Sequence, residues 1–148
     1  MARLQVPKYD LNNLAVITVI FNPVKYKSRY ERYHKFDEHM SRCGVTLLTV
    51  ECIFDCSEQL GLPRQKFEVT RHDDNRHLQL RTPSVLWLKE NLINLAIRRL
   101  PDSIEYVAWL DADIEFEVRF LFLEASNKLV RHQQTKIIVD RSTLEVSK

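Results

Sequence analysis

The segment at 14–21 is the feature of the sequence that most constrains the fold. It reads LAVITVIF, an unbroken run of apolar and β-branched residues. A strand with one face in solvent alternates apolar and polar residues, whereas a strand covered on both faces is apolar throughout. The segment is therefore typical of a buried strand in an α/β sheet.

A β-α-β unit is predicted to begin with this strand. The Asn-Pro pair at 22–23 is a turn signal that ends the strand. We expect Ser28 to cap a helix over 29–42 and Gly44 to end it. A second apolar strand then covers 45–54. Two strands joined by a helix in this way pair in parallel, with a right-handed crossover.

The rest of the chain is assigned from turn residues and apolar periodicity. The expected elements are a loop over 55–65, a short edge strand over 67–70, a helix over 84–99 capped by Thr82, a strand over 105–111, a helix over 120–130 and a strand over 136–140. The predicted fold class is α/β, a Rossmann-like sandwich whose mostly parallel central sheet has helices on both faces.

Length and composition indicate a single domain over 1–148. The character of the sequence changes after Glu117, so 118–148 is treated as a divergent tail. The chain is 45% hydrophobic and 28% charged, and its net charge is +2. These values are ordinary for a globular protein and argue against a dedicated nucleic-acid-binding protein. No apolar run approaches the roughly 18 residues of a membrane span, and we expect no secretory signal at the N-terminus.

Cysteines and glycines narrow the function classes further. Cys43, Cys52 and Cys56 form no CxxC pair, so reduced, partly buried thiols and a cytoplasmic location are favoured. The two glycines, Gly44 and Gly61, are too isolated for a Walker loop or a GxGxxG motif. Any phosphate that the protein binds must therefore be held by a metal ion or by scattered donors.

Asp111 and Asp113 follow the apolar segment 106–110 directly. Side chains at i and i+2 of a strand point to the same side, with Cα atoms roughly 6.6 Å apart. Such a pair can share a hard divalent cation while a ligand's phosphates complete its shell. Asn22 and Glu51 also fall near carboxyl ends of predicted strands, where ligands of parallel sheets bind. This convergence predicts a site at that edge.

Other polar residues are weaker candidates. The segment 71–77 holds two histidines and two aspartates, but their spacing matches no helical histidine pair, and a solvated loop is favoured over a zinc site. His132 is a candidate third metal ligand, although a lone histidine on a helix is more often exposed. The candidate catalytic bases after the aspartate pair are Glu115, Glu117, Glu124 and Asp140.

Together these features resemble the nucleotide-binding half of a GT-A glycosyltransferase of the family 2 type. The resemblance covers about residues 12–117. Its strongest match is the Asp-x-Asp signature at 111–113 after an apolar strand. The segment 86–97 is similar to the family's helix before that signature. The usual second half, which supplies the acceptor site and often the catalytic base, is not recognisable in the residues that follow.

The resemblance implies a role for each matching residue. Asp111 and Asp113 would bind Mn²⁺ or Mg²⁺ and so hold the diphosphate of a UDP- or GDP-sugar. Phe21 and Asn22 would pack against the nucleoside, and Glu51 would lie near the base or ribose. The residues expected to face the nucleotide from the helix are Lys89 and Asn91.

Three functions are compatible with the sequence. The first is a metal-dependent glycosyltransferase, or its donor-binding half, that transfers a hexosyl group to an unknown acceptor. The second is a catalytically incomplete nucleotide-binding or interaction module on the same fold, because the usual second half is not recognisable. Nucleotidyl transfer ranks lower, since no glycine-rich loop accompanies the basic residues Lys25, Lys27 and Arg29.

Overall fold

A computed structural model of the chain describes residues 11–83, 86, 88–114 and 138–140. Its helices and strands are, in chain order, β1 (Leu14–Ile20), α1 (Lys27–Cys43), β2 (Thr46–Phe54), β3 (His77–Thr82), α2 (Lys89–Arg99), β4 (Tyr106–Trp109) and β5 (Ile138–Asp140). Short 3-10 turns lie at Leu11–Asn13 and Glu58–Leu60. The predicted helix over 120–130 and most of the tail over 118–148 lie outside the described residues.

The strands form one sheet in the order β3-β2-β1-β4-β5. β1 pairs in parallel with β2 and β4, β2 pairs in parallel with β3, and β5 is antiparallel to β4. The α/β class with a mostly parallel, Rossmann-like sheet is thereby confirmed. The chain runs outward from β1 to β3 and then returns to place β4 on the other side of β1. Ligands of open α/β sheets bind beside such a reversal of strand order.

β1 is apolar except at Thr18, and each of its faces packs against a helix. Ala15 and Ile17 belong to the core that α2 covers, while Leu14 and Val16 belong to the core that α1 covers. All four are at most 1% exposed. The buried helix residues are Leu92, Ile93, Ala96 and Ile97 in α2, and Tyr33, Phe36, Met40 and Cys43 in α1. The predicted helices on both faces of the sheet are confirmed.

The two ends of α1 depend on different local signals. α1 begins at Lys27 with Tyr26 at the N-cap position and no side-chain cap, so the predicted cap at Ser28 is wrong. The Asn22 amide holds the preceding turn instead: it donates to the Tyr26 carbonyl at 2.9 Å and accepts the Tyr26 N–H at 3.1 Å. At the other end Gly44, with φ of 72°, caps the helix in the left-handed conformation, as predicted.

The third strand lies at 77–82, and the predicted edge strand at 67–70 is wrong. The backbone N–H groups of 68–70 are unavailable for a sheet because they donate to the Glu51 carboxylate, at 2.7, 3.1 and 2.9 Å. β3 was missed because its sequence, HLQLRT, alternates apolar and polar residues and begins inside a polar segment. Such alternation is typical of an edge strand that is covered on one face.

α2 begins at Lys89 rather than at 84. The predicted cap at Thr82 is wrong, because Thr82 is the last residue of β3 and pairs with Phe54 of β2. Leu88 occupies the N-cap position without a side-chain cap. The first turn of α2 therefore lies at the carboxyl edge of the sheet. The N–H groups of a first turn have no hydrogen-bond acceptor within the helix itself.

β4 and β5 form the other side of the sheet. β4 falls within the predicted strand at 105–111, and β5 falls within the predicted strand at 136–140. Their register places Asp140 beside Tyr106, the first residue of β4. The backbone of Asp140 is therefore at the amino edge of the parallel strands.

Candidate functional site

A pocket of about 340 Å³ opens at the carboxyl edge of the sheet, beside the reversal of strand order. Most of its lining residues come from the end of β1, from the first two turns of α1, from the first turn of α2 and from the segment that follows β4. Its volume falls within the range of small-molecule sites, roughly 300–1,000 Å³. The charged residues that line it are Arg29, Arg32, Lys89, Asp111 and Asp113.

Asp111 and Asp113 reach this pocket from a turn that follows β4. The N–H of Leu110 still donates to the Ile17 carbonyl at 2.9 Å, as in a parallel sheet. The N–H of Ile114 then donates to the Asp111 carbonyl at 3.2 Å and closes the turn. The strand geometry expected for the aspartate pair is therefore wrong, but the turn brings both residues to the same pocket.

Lys89 forms an ion pair with Asp111 inside the pocket. Lys89 is the first residue of α2, and its side chain is 13% exposed, against 42% for Asp111. Leu92 and Ile93 fix the same helix against the sheet. The fold therefore places the ammonium group beside the carboxylate, and Lys89 lines the pocket from α2, the side from which the resemblance implied that it would face the ligand.

Arg29 and Arg32 bring further positive charge to the pocket from α1. The Nη1 atom of Arg29 donates to the Phe21 carbonyl at 3.1 Å, which anchors the guanidinium beside the end of β1. Neither arginine was predicted as a site residue. Their spacing was the available signal, because residues i and i+3 share one face of a helix, and this helix follows the carboxyl end of a strand.

One wall of the pocket is apolar. Phe21 lines it and packs against Phe54, with ring centroids 6.2 Å apart. Leu88 and Leu92 extend this wall from α2. Cys52 is 3% exposed, and burial raises the pKa of its thiol, so it contributes as a neutral group. A nucleoside ring can pack against a surface of this kind.

Asn22 and Glu51 are occupied elsewhere and do not line the pocket. Asn22 is 6% exposed and uses its amide in the turn before α1. Glu51 is 2% exposed, and its carboxylate accepts the Thr70 hydroxyl at 2.6 Å in addition to the N–H groups of 68–70. The structure therefore gives both residues structural roles, and it does not support the expected nucleoside contacts.

Asn91 is exposed on α2 and does not line the pocket. Two helical positions differ by roughly 200° around the helix axis. A helix that presents Lys89 to the pocket therefore turns Asn91 away from it. The expectation that both residues face the nucleotide is not supported for Asn91.

The candidate base Asp140 is at the wrong edge of the sheet. Its backbone lies beside Tyr106, at the amino end of β4, whereas Asp111 follows the carboxyl end of that strand. The register therefore contradicts a role for Asp140 at this pocket. The other candidates, Glu115, Glu117, Glu124 and His132, lie outside the described residues.

The polar segment 71–77 forms the turn that leads into β3. The Asp74 carboxylate accepts the Arg76 guanidinium at 2.8 Å and the Arg76 N–H at 2.9 Å. These bonds hold the pKa of Asp74 well below its usual range. Nδ1 of His77 accepts the N–H of Arg71 at 3.0 Å. The segment is thus a hydrogen-bonded turn, in line with the loop interpretation.

The donor set of the pocket suits a divalent cation that arrives with a phosphate ligand. Mg²⁺ is usually bound through one or two carboxylates plus substrate phosphates and water, and Mn²⁺ also favours oxygen ligands. Asp111 and Asp113 supply two carboxylates at one pocket. Within the described ranges, no group of three or more potential metal-ligating side chains occurs. A phosphate-bound cation therefore fits this pair better than a free one.

No protein-family model, curated protein or solved structure matches the chain. In the part of the chain that the structure describes, no helix is long and apolar enough to cross a membrane. The geometry and chemistry of the pocket are therefore the basis for a functional assignment.

Proposed function

We propose that this chain binds a nucleotide-diphosphate sugar, a UDP- or GDP-sugar, as the donor-binding part of a metal-dependent glycosyltransferase. One observation carries the proposal: Asp111 and Asp113 line the same pocket as Lys89, Arg29 and Arg32, beside the reversal of strand order. A pocket for a simple anion needs positive charge alone. A pocket for an anion chelated to a divalent cation needs carboxylates as well.

The cationic side chains would hold the diphosphate. Arg29 and Arg32 present planar guanidinium groups that match phosphate oxygens, and Lys89 provides a point charge. The first-turn N–H groups of α2 also favour negative charge. Phe21 and its apolar neighbours would pack against the nucleoside. These donors replace the glycine-rich loop that the sequence lacks.

Asp111 and Asp113 would hold Mn²⁺ or Mg²⁺ together with the diphosphate. Such an ion stabilises the charge that accumulates on the leaving diphosphate as the glycosidic bond breaks, without proton transfer. The two aspartates would contribute negative charge and would position the cation at the diphosphate. The Asp-x-Asp resemblance at 111–113 supports the same assignment.

A catalytically incomplete nucleotide-binding module on the same fold is the second candidate. Apart from Asp111 and Asp113, no described residue that lines the pocket is a carboxylate or a histidine able to act as a general base. Such a module would bind the donor and leave hexosyl transfer to another segment or chain. For either candidate, the free thiols of Cys43, Cys52 and Cys56 suit a reducing compartment such as the cytoplasm.

Isothermal titration calorimetry with UDP- and GDP-sugars, in Mn²⁺ and in EDTA, tests the proposal. We expect one donor to bind about tenfold or more tightly with Mn²⁺, a coupling of ordinary size between two ligands. Asp111→Asn and Asp113→Asn should each remove this metal dependence. Asp73→Asn, which changes an exposed aspartate in the turn before β3, should not. Binding of no nucleotide sugar in Mn²⁺ would exclude the proposal.

Release of sugar from the bound donor separates the two candidates. Hydrolysis or transfer that Asp111→Asn abolishes would identify an enzyme. Tight, metal-dependent binding without turnover, even after addition of candidate acceptors, would favour the binding module.

A further inference from the structure

We infer that the ligand of this pocket is the metal–nucleoside diphosphate complex as a unit, and that Lys89 excludes the free cation. The inference rests on the proposed function. Its starting point is the ion pair between Lys89 and Asp111, which occupies one of the two carboxylates that a cation would need.

The fold places the Lys89 side chain within reach of Asp111. Lys89 begins α2, whose Leu92, Ile93 and Ala96 are buried against the sheet. Its side chain is 13% exposed and lines the pocket beside Asp111. A free cation at Asp111 would have to displace this ammonium and leave it beside a dication.

The charges around the aspartates oppose a free cation further. Arg29 and Arg32 line the pocket with Lys89, so three cationic groups face two carboxylates. Like charges within a few ångströms repel strongly where water is partly excluded. A dication alone therefore enters a region that already has excess positive charge, whereas a diphosphate brings negative charge to neutralise it.

The diphosphate would give Lys89 a second partner. An ammonium group pairs with phosphate oxygens as readily as with a carboxylate. When Lys89 transfers to the diphosphate, its ammonium group no longer competes at Asp111 with the cation that the same diphosphate carries. Each ligand therefore strengthens the binding of the other, and by thermodynamic linkage the two enhancements are equal.

Electron paramagnetic resonance of free Mn²⁺ tests the inference on the full chain, without any measurement of activity. Mn²⁺ affinity is measured alone and with saturating nucleoside diphosphate, UDP or GDP according to which one the wild type binds. The proteins are the wild type, Lys89→Met, Lys89→Gln, Lys89→Arg and the control Lys66→Met. Lys66 is exposed and does not line the pocket, so its variant reproduces the loss of one positive charge. Circular dichroism verifies that each variant is folded.

The wild type, Lys89→Arg and Lys66→Met should bind Mn²⁺ weakly alone and about tenfold or more tightly with the nucleoside diphosphate. In Lys89→Met and Lys89→Gln, Mn²⁺ alone should bind several-fold more tightly, and the enhancement by the nucleoside diphosphate should shrink. Enhancement by the nucleoside diphosphate in the wild type that neither Lys89→Met nor Lys89→Gln alters would overturn the inference and leave the proposed function standing. A wild type that binds free Mn²⁺ as tightly as Mn²⁺ with the nucleoside diphosphate would also overturn it. Failure of every protein to bind either UDP or GDP with Mn²⁺ would overturn both.

Discussion

Glu51 and Asp111 are both carboxylates near the ends of parallel strands, but their surroundings give them different roles. The carboxylate oxygens of Glu51 accept hydrogen bonds from the N–H groups of 68–70 and from the Thr70 hydroxyl. Asp111 is 42% exposed and pairs with the ammonium of Lys89. A carboxylate that the chain's own donors surround stabilises the fold, whereas a more exposed carboxylate that lines a pocket and pairs with a side chain there can exchange that partner for a ligand.

Replacement of Glu51 by glutamine should therefore destabilise the fold. The amide places an NH₂ group among donors, and several charge-assisted hydrogen bonds are lost, at a cost of about 3 kcal/mol in the free energy of unfolding. Urea unfolding measures this cost. Glu58→Gln, in an exposed 3-10 turn, is the control and should cost much less.

The same variant separates a structural role of Glu51 from a role at the nucleoside. Under conditions in which Glu51→Gln is folded, its affinity for UDP with Mn²⁺ should equal that of the wild type. Unchanged stability together with weakened UDP binding would show that Glu51 contacts the ligand.

For single residues, the sequence predicts a position at the site only where the neighbouring residues in the chain are sufficient to indicate it. Asp111 and Asp113 directly follow an apolar strand, so their edge of the sheet was predictable. The partners of Glu51 come from 68–70, a segment that folds over β2 only in the tertiary structure. The contact between Lys89 and Asp111, 22 positions apart, likewise depends on how α2 packs.

The turn at 71–77 shows how a polar segment can define the start of a strand. Asp74 accepts hydrogen bonds from Arg76, and His77, the first residue of β3, accepts the N–H of Arg71. These bonds fix the chain where β3 joins β2, since the Thr49 N–H donates to the Arg76 carbonyl at 2.8 Å. The charged side chains of the turn thus contribute to the stability of the sheet edge.

Asp74 should make the stability of the protein depend on pH. Because its pKa is lower in the folded protein than its ordinary value of 3.8, its contribution is complete above that value and is lost as the pH falls below it. Asp74→Asn should lower the free energy of unfolding by about 1 kcal/mol near neutral pH, and this difference should shrink at about pH 3.

Urea unfolding of the wild type, Asp74→Asn and Asp73→Asn at both pH values provides the measurement. Asp73 is 81% exposed and is the matched control, so its variant should differ little from the wild type. A gap between the wild type and Asp74→Asn that is the same at both pH values would show that the Asp74 charge does not contribute.

Among the elements, those buried on both faces were predictable. β1, β2 and β4 are mainly apolar segments, so the sequence was sufficient to predict buried strands there. β3 was missed because it alternates and begins in polar residues. The start of α2 was misplaced because pairing of Thr82 with Phe54 overrides the local capping signal at 82–84.

In the molecule as a whole, the strand order brings the residues of the pocket together. β1 lies at the centre of the sheet, and the chain leaves it on one side as β2 and on the other as β4. The carboxyl edge therefore collects Arg29, Lys89 and Asp111 from three distant parts of the sequence. The β-α-β opening predicted the parallel class of the sheet, whereas the strand order and the antiparallel pairing of β5 depend on contacts between distant segments.

Paramagnetic broadening of amide signals by Mn²⁺ with UDP tests the central claim most directly, because the effect is confined to residues near the ion. The two edges of the sheet provide an internal comparison. Mg²⁺ with UDP is the diamagnetic reference, and Asp113→Asn should weaken the broadening.

If Asp111 and Asp113 hold a metal–diphosphate complex, the signals of 110–114 and of the first turn of α2 should broaden, while those of 72–76, at the amino edge, should remain sharp. Broadening centred on 72–76, or none with Mn²⁺ at saturating UDP and none at saturating GDP, would contradict the account.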